Sequence, residues 1–330
     1  MGGLTAVWEG EFPRPGAEED AREWAHHGIA VLPDGRVAVA DARGSRLAIC
    51  QPDGRIEHVM TLPIIQAHGI TVEAGDDGTF LWVADNGDHR WLLPDGSVTP
   101  RSDAPQGRVL KVGLDGEVLL SIGVPRLPQY RDAPFSPTHV VVDEANAGSG
   151  DVWICDGYGA SLVIRVTPEG EIAQVIDGVS GMGHFNQPHG ATIDRRRGAP
   201  ELLVADRANS RIQVFDLDGR FQRGVGVGDL RSPGHFAPYG RWLLVAELHR
   251  RIMALGEDDA VHTVLDCRTG AADEFEGGWP NVLAGEETTS PAFQAGMLNS
   301  PHSIAVAGDR LYVAEWVIGG RLCTFTLQAS

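Results

Sequence analysis

Short apolar runs separated by turn residues recur along the chain in a unit that repeats. The unit opens on histidine and a β-branched run. It passes through a turn to a second run ending in an acidic residue, then reaches a third run opened by a basic or apolar residue. It is seen as HGIAVLPDGRVAVADARGSRLAIC from His27, as HGITV…FLWVADNGDHR from His68, and as HVVVDEANAGSGDVWICDGYGASLVIRV from His139. It returns as HGATIDRRRGAPELLVADRANSRIQVF from His189 and HSIAVAGDRLYVAEWVIGGRLCTFTL from His302, with a degenerate copy from His235.

The histidines are spaced by 41, 71, 50, 46 and 67 residues, the interval of a propeller blade with two insertions. The insertions are RWLLPDGSVTPRSDAPQG in the second unit and RTGAADEFEGGWPNVLAGEETTSPAFQAGMLN before the sixth. Each unit supplies an inner strand after the histidine, two further strands, and an outer one after PDG, LDG or PEG. The sixth ends at Ser330 without an outer strand, and LTAVWEGEF near the start can supply it, removing an open edge. The pattern predicts an all-β, six-bladed β-propeller, a single domain over residues 1–330.

Composition agrees: 42 Gly and 20 Pro with 7% aromatic residues suit many short strands and tight turns, and long helices are not expected. A net charge of −18 repels phosphate backbones and anionic lipid, which argues against nucleic-acid and membrane partners. The basic cluster DRRRG at 194–198 reads as a hairpin tip. With no basic n-region and no long apolar segment, the expected location is the cytoplasm and the expected state a monomer. Cys50, Cys155, Cys267 and Cys323 lack CxxC spacing and read as reduced, half-buried thiols.

In a propeller the inner strands line a central channel, so His27, His68, His139, His189, His235 and His302 are candidates for one inward-facing ring. Neutral imidazole is the commonest metal ligand, and a catalytic zinc site takes three protein ligands with one open position, which three alternate blades can meet. A histidine opening a strand can also simply bond backbone in the turn. Six at one repeat position weigh against that reading, since Ser, Asn or Asp would serve. The acids ending the second strands, Asp41, Asp85, Asp156, Asp206, Glu247 and Glu315, read mainly as acceptors of turn amides and alternatively as carboxylates orienting the histidines.

These residues resemble the NHL-repeat propellers, as in VADRANSRIQVFDLDG at 204–219, and within that group the peptidyl-α-hydroxyglycine α-amidating lyases. FNQPHGATI followed by LLVADRANSRIQVF is similar to that family's fourth blade, implying His189 as a zinc ligand and Arg207 as an active-site arginine. ICDGYGASLVIRV resembles the segment holding the family's catalytic tyrosine, implying Tyr158. AHGITV and SPHSIAV imply His68 and His302 as the other two ligands. The three ligands fall on blades two, four and six.

There are departures. Ser300 and Pro301 precede His302 and Ser303 follows it, where the family has a residue pair contacting substrate and an Asp that helps bind calcium, so Ca2+ is not expected. Gly159 stands where the family has a disulfide cysteine. Only Arg22 offers itself for the first-blade arginine. His27, His139 and His235 exceed what the family needs and are candidate ring or substrate contacts.

The resemblance implies a lyase that uses Zn2+, or another histidine-bound transition metal, to cleave the C–N bond of an N-acyl α-hydroxyglycine-like hemiaminal on a small-molecule or peptide-like substrate. Two alternatives stand beside it: a metal-dependent lactone or ester hydrolase on the same channel, and a non-catalytic NHL protein-binding module. Trp91, Trp279 and Trp316 suit either a substrate wall or a docking face, and the loops around Tyr130 and Trp279 are the expected seat of specificity.

Overall fold

The computed structural model describes residues 3–13, 22–88, 90–92, 98–100, 106–144, 148–268, 279–285 and 287–329. Among these residues the strands form six four-stranded antiparallel sheets and two small ribbons, with two short 3-10 turns. Blade 1 comprises Ile29–Val31, Val37–Ala40, Arg46–Cys50 and Ile56–Thr61. Blade 2 comprises Ala67–Gly75, Gly78–Asp85, Arg108–Gly113 and Val118–Ile122. Blades 3, 4 and 5 begin at His139–Val142, Pro188–Asp194 and Pro233–Tyr239, and each runs through four consecutive strands. The ribbons, Arg90–Leu92 with Val98–Pro100 and Val282–Ala284 with Glu287–Thr289, fall in the two insertions anticipated from sequence.

Blade 6 joins the two ends of the chain. Pro301–Ala307, Arg310–Glu315 and Arg321–Ala329 are completed by Leu4–Glu11, antiparallel to the last of them. Trp8 packs edge-on to Phe325 at 5.3 Å, Glu9 pairs with Arg310, and Phe12 meets Tyr312 at 5.3 Å. The anticipated closing strand is therefore present, and it completes the sixth four-stranded sheet.

The second strands read as unbroken apolar runs because both of their faces are covered: Val37–Ala40 and Trp242–Glu247 are buried throughout. Six apolar clusters fill the wedges between neighbouring blades. Leu47 and Ile49 of blade 1, for example, pack on Leu81 and Val83 of blade 2. Each such side chain contributes about 1.5–3 kcal/mol by leaving water. The four cysteines are free and fully buried rather than half-buried, and burial raises the Cys50 thiol to about 11. No helix among the described residues is long and apolar enough to cross a membrane. The 194–198 segment does turn the hairpin between the first two strands of blade 4.

Inner strands touch in the order of blades 1 to 6 and back to 1, enclosing the channel. In blades 2 and 4 the residue after the histidine is glycine for a steric reason. A Cβ on Gly69 would lie 2.6 Å from the Thr138 carbonyl oxygen, and one on Gly190 would lie 2.4 Å from that of Gly234. The missing side chains let neighbouring inner strands approach closely enough for the histidines to bond across.

Candidate metal centre at the channel mouth

His68, His189 and His302 lie on the inner strands of blades 2, 4 and 6, and all three are buried. His68 Nδ1–H donates to Thr138 O at 2.6 Å, and His189 Nδ1–H to Gly234 O at 3.0 Å. In each case the carbonyl belongs to the next blade. These bonds fix the tautomer, so the Nε2 lone pairs turn inward, where His68 Nε2 and His302 Nε2 are 3.2 Å apart. The Nδ1 of His302 has no hydrogen-bond partner among the described residues. A fourth imidazole joins them: His26 Nε2 is 3.2 Å from His68 Nε2, and one ligand nitrogen from each of the four lies within 4.8 Å of the others.

These residues fit a transition metal. A nitrogen separation of 3.2 Å is close to that of two ligands each about 2.0–2.1 Å from one ion. Burial pushes the His68 imidazole down to about 3, and those of His189 and His302 well below the usual range, so all three are neutral, the ligating form, at neutral pH. No carboxylate belongs to the set, which suits zinc or another nitrogen-preferring metal rather than calcium.

Tyr158 and Arg207 are brought to the same point. The Tyr158 hydroxyl lies 3.3 Å from His68 Nε2, 3.1 Å from His189 Nε2 and 3.0 Å from His26 Nε2. Arg207 donates to it from Nη1 at 3.2 Å and to Gln187 Oε1 from Nη2 at 2.8 Å. A cavity of about 520 Å³ opens above, with Trp24 and Trp316 on one wall and Gln66, Asn86, Asp88 and Gln187 among its polar lining.

The other sequence candidates lie elsewhere. His139 and His235 stand with their Nε2 atoms 3.0 Å apart, and they line a separate cavity of about 360 Å³ formed by later residues of the inner strands, toward the opposite end of the channel. Each accepts a backbone amide at Nδ1, from Ala191 and Ile304, instead of donating to a carbonyl. The repeat position thus points alternately to two levels. His27 does neither: its Nδ1–H donates to Ala40 O at 3.2 Å, and its ring packs against Gly320. The expected single six-histidine ring is therefore corrected to a cluster above, a pair below and His27 to the side. Arg22 is exposed and does not line the mouth cavity; blade 1 contributes His26 instead. Sequence reading passed over His26, although the doublet AHHG at 25–28, against a single histidine in the other repeats, is a signal for it.

The acids ending the second strands are buttresses. Asp85 accepts the amides of Ile65 and Gln66, Asp156 that of Ser136, Asp206 that of Asn186 and Glu315 that of Ser300. Each acceptor thereby holds the segment just ahead of a ring histidine. An arginine opening the third strand neutralises most of them, as Arg211 does Asp206 at 2.7 Å and Arg321 does Glu315 at 2.9 Å. Blade 3 has Leu162 at that position, and there Asp156 accepts a hydrogen bond from the Tyr130 hydroxyl at 2.7 Å instead of pairing with a cation. Tyr130 is thereby tied to the scaffold through Asp156. The side chain of Trp91 lies outside the described residues. Trp279 packs on Trp316 at 5.9 Å, behind the cavity wall.

No protein-family profile matches the chain. It is 31% identical to NHL repeat-containing protein 3 of Homo sapiens over 140 residues, 40% of this chain and 38% of that protein. It is 25% identical to a probable peptidyl-alpha-hydroxyglycine alpha-amidating lyase of Caenorhabditis elegans over 231 residues, 66% of this chain and 57% of that protein. The matches thus span roughly two fifths to three fifths of the length of these relatives. Among solved structures, virginiamycin B lyase of Staphylococcus aureus matches 99% of both chains at a TM-score of 0.54 and 14% identity. A gluconolactonase of Xanthomonas campestris matches 98% of this chain and 97% of its own at 0.54 and 16%. The chain is a six-bladed propeller related to NHL-repeat proteins and amidating lyases.

Proposed function

We propose that the channel mouth is the active site of a metal-dependent lyase that cleaves the C–N bond of an N-acyl or peptidyl α-hydroxyglycine-like hemiaminal. The observation that carries this reading is the placement of the Tyr158 hydroxyl against His68 Nε2, His189 Nε2 and the Arg207 guanidinium at once. His68, His189 and His302 are the proposed metal ligands. A bound zinc ion, or another divalent transition metal, supplies Lewis acidity. Tyr158 Oη, as the phenolate that the Arg207 guanidinium favours, accepts the proton of the substrate's α-hydroxyl, and Arg207 offers positive charge where negative charge develops. The electron pair left on the hydroxyl oxygen forms the carbonyl as the C–N bond breaks, and the proton taken up by Tyr158 is returned to the leaving nitrogen. The products are an amide and a carbonyl compound such as glyoxylate.

The half-open cavity accepts a small molecule or the end of a peptide, with the indoles of Trp24 and Trp316 as its apolar wall. A hydrolase built on carboxylate-held calcium is the weaker reading, because the clustered set is entirely imidazole. The test is metal content per chain together with turnover of a synthetic N-acyl α-hydroxyglycine. His189→Ala is expected to lose both, and a variant that keeps stoichiometric metal and full turnover overturns the proposal.

A further inference from the structure

His26 differs from the other three imidazoles in how it is carried. They sit inside inner strands and are buried, whereas His26 is half-buried on an irregular segment between Trp24 and the strand Ile29–Val31. His26 lines the mouth cavity and the other three do not. The base of its segment is pinned: Ala25 N donates to Val317 O at 3.1 Å, and Gly319 N to Glu23 O at 2.7 Å. Its ring lies over Trp316, 5.5 Å between centroids and 29° between planes, and Trp316 in turn stacks on Trp24. From that support His26 Nε2 reaches to 3.2 Å from His68 Nε2.

A closed four-ligand set is the hallmark of a structural site, whereas a catalytic one keeps a position for substrate. We propose that His26 is a removable fourth ligand, capping the metal until an oxygen donor of the substrate takes its place. This inference rests on the metal reading above. Removal is feasible for His26 because its ring borders the cavity, into which rotation about its side-chain torsions can carry it. His68 and His189 are tethered at Nδ1 to carbonyls of neighbouring strands. Exchanging one neutral imidazole for an anionic oxygen leaves the other three ligands in place.

Cobalt(II) is the probe, because its visible d–d bands report ligand number. The wild type, His26→Ala and His26→Gln are each loaded with one equivalent and titrated with acetohydroxamate, an oxygen donor. Circular dichroism confirms that each variant is folded. The wild type is expected to show the intense bands of a four-nitrogen site. Both variants should show weaker, shifted bands, which added imidazole restores in His26→Ala. Without a cap to displace, the variants should bind acetohydroxamate more tightly, on the order of tenfold or more. Spectra and hydroxamate affinities that superpose on those of the wild type overturn the proposal while leaving the three-histidine metal site standing. A wild type that takes up no cobalt overturns both.

Discussion

Arg207 holds Tyr158 in two ways: a guanidinium nitrogen lies 3.2 Å from the phenol oxygen, and the guanidinium carbon lies 5.2 Å from the centroid of the same ring. The hydroxyl is thereby aimed at the imidazoles while the ring is kept from turning aside. Tyr158→Phe keeps the ring contact and removes only the oxygen. Turnover is expected to fall by about 10²–10⁴-fold, the usual worth of a positioned acid–base group, with metal content unchanged. Steady-state kinetics beside elemental analysis checks both halves. Retained turnover would show that another group moves the proton.

Asp206 is buried and ion-paired with half-buried Arg211, and it also receives the Asn186 amide three residues ahead of His189. Asp206→Ala leaves a half-buried guanidinium and a backbone donor without their acceptor, so denaturant unfolding should show a loss of about 1–3 kcal/mol. Because the loop it holds sets the position of His189, metal affinity should weaken by about 10–100-fold. A stability loss with unchanged affinity would confine Asp206 to the scaffold.

Acid should act through the lower histidines. Burial depresses His235 to about 4 in the folded chain, against an ordinary value of 6.5. Between those values the unfolded chain binds a proton that the folded chain refuses. Stability contributed by neutral His235 is therefore full above pH 6.5 and declines as pH falls toward 4. The shift corresponds to about 3 kcal/mol. In His235→Gln the drop in unfolding free energy between pH 7 and pH 4 should be smaller by about that amount, measured by urea titration at each pH on metal-free protein. Parallel pH profiles for variant and wild type would refute it.

Closure of blade 6 joins the two ends of the chain over seven paired residues and should matter for both stability and association. Leu4 is buried in the wedge between blades 5 and 6, so Leu4→Ala should cost about 2–5 kcal/mol. Deleting residues 1–12 should leave Arg321–Ala329 as an open edge and produce concentration-dependent association, visible by size-exclusion chromatography. A deletion variant that elutes and melts like the full chain would argue against the closure.

The fold was legible because a repeat reports its own period: the opening histidines and the acids ending second strands occur in every blade, and an arginine opens the third strand in every blade but the third. The repeat marked six equivalent histidines, and the resemblance to the amidating lyases singled out His68, His189 and His302 among them; the structure brings those three together. What the repeat does not encode is side-chain direction. His139 turns downward because its Nδ1 takes the Ala191 amide, and His27 turns sideways onto Ala40; those choices depend on neighbouring strands that no single repeat contains. His26 escaped because it precedes the repeat position rather than occupying it.

The two levels of histidine have a consequence for how such a channel can change over time. The upward imidazoles of the repeat position occupy every second blade, a spacing that closes evenly around the ring only where the blade count is even. Gain or loss of one blade would break the alternation at one point of the ring and with it the threefold grouping, even with every remaining residue unchanged. Loops can lengthen and substrates can change around this site, but the parity of its ring is held by the site itself.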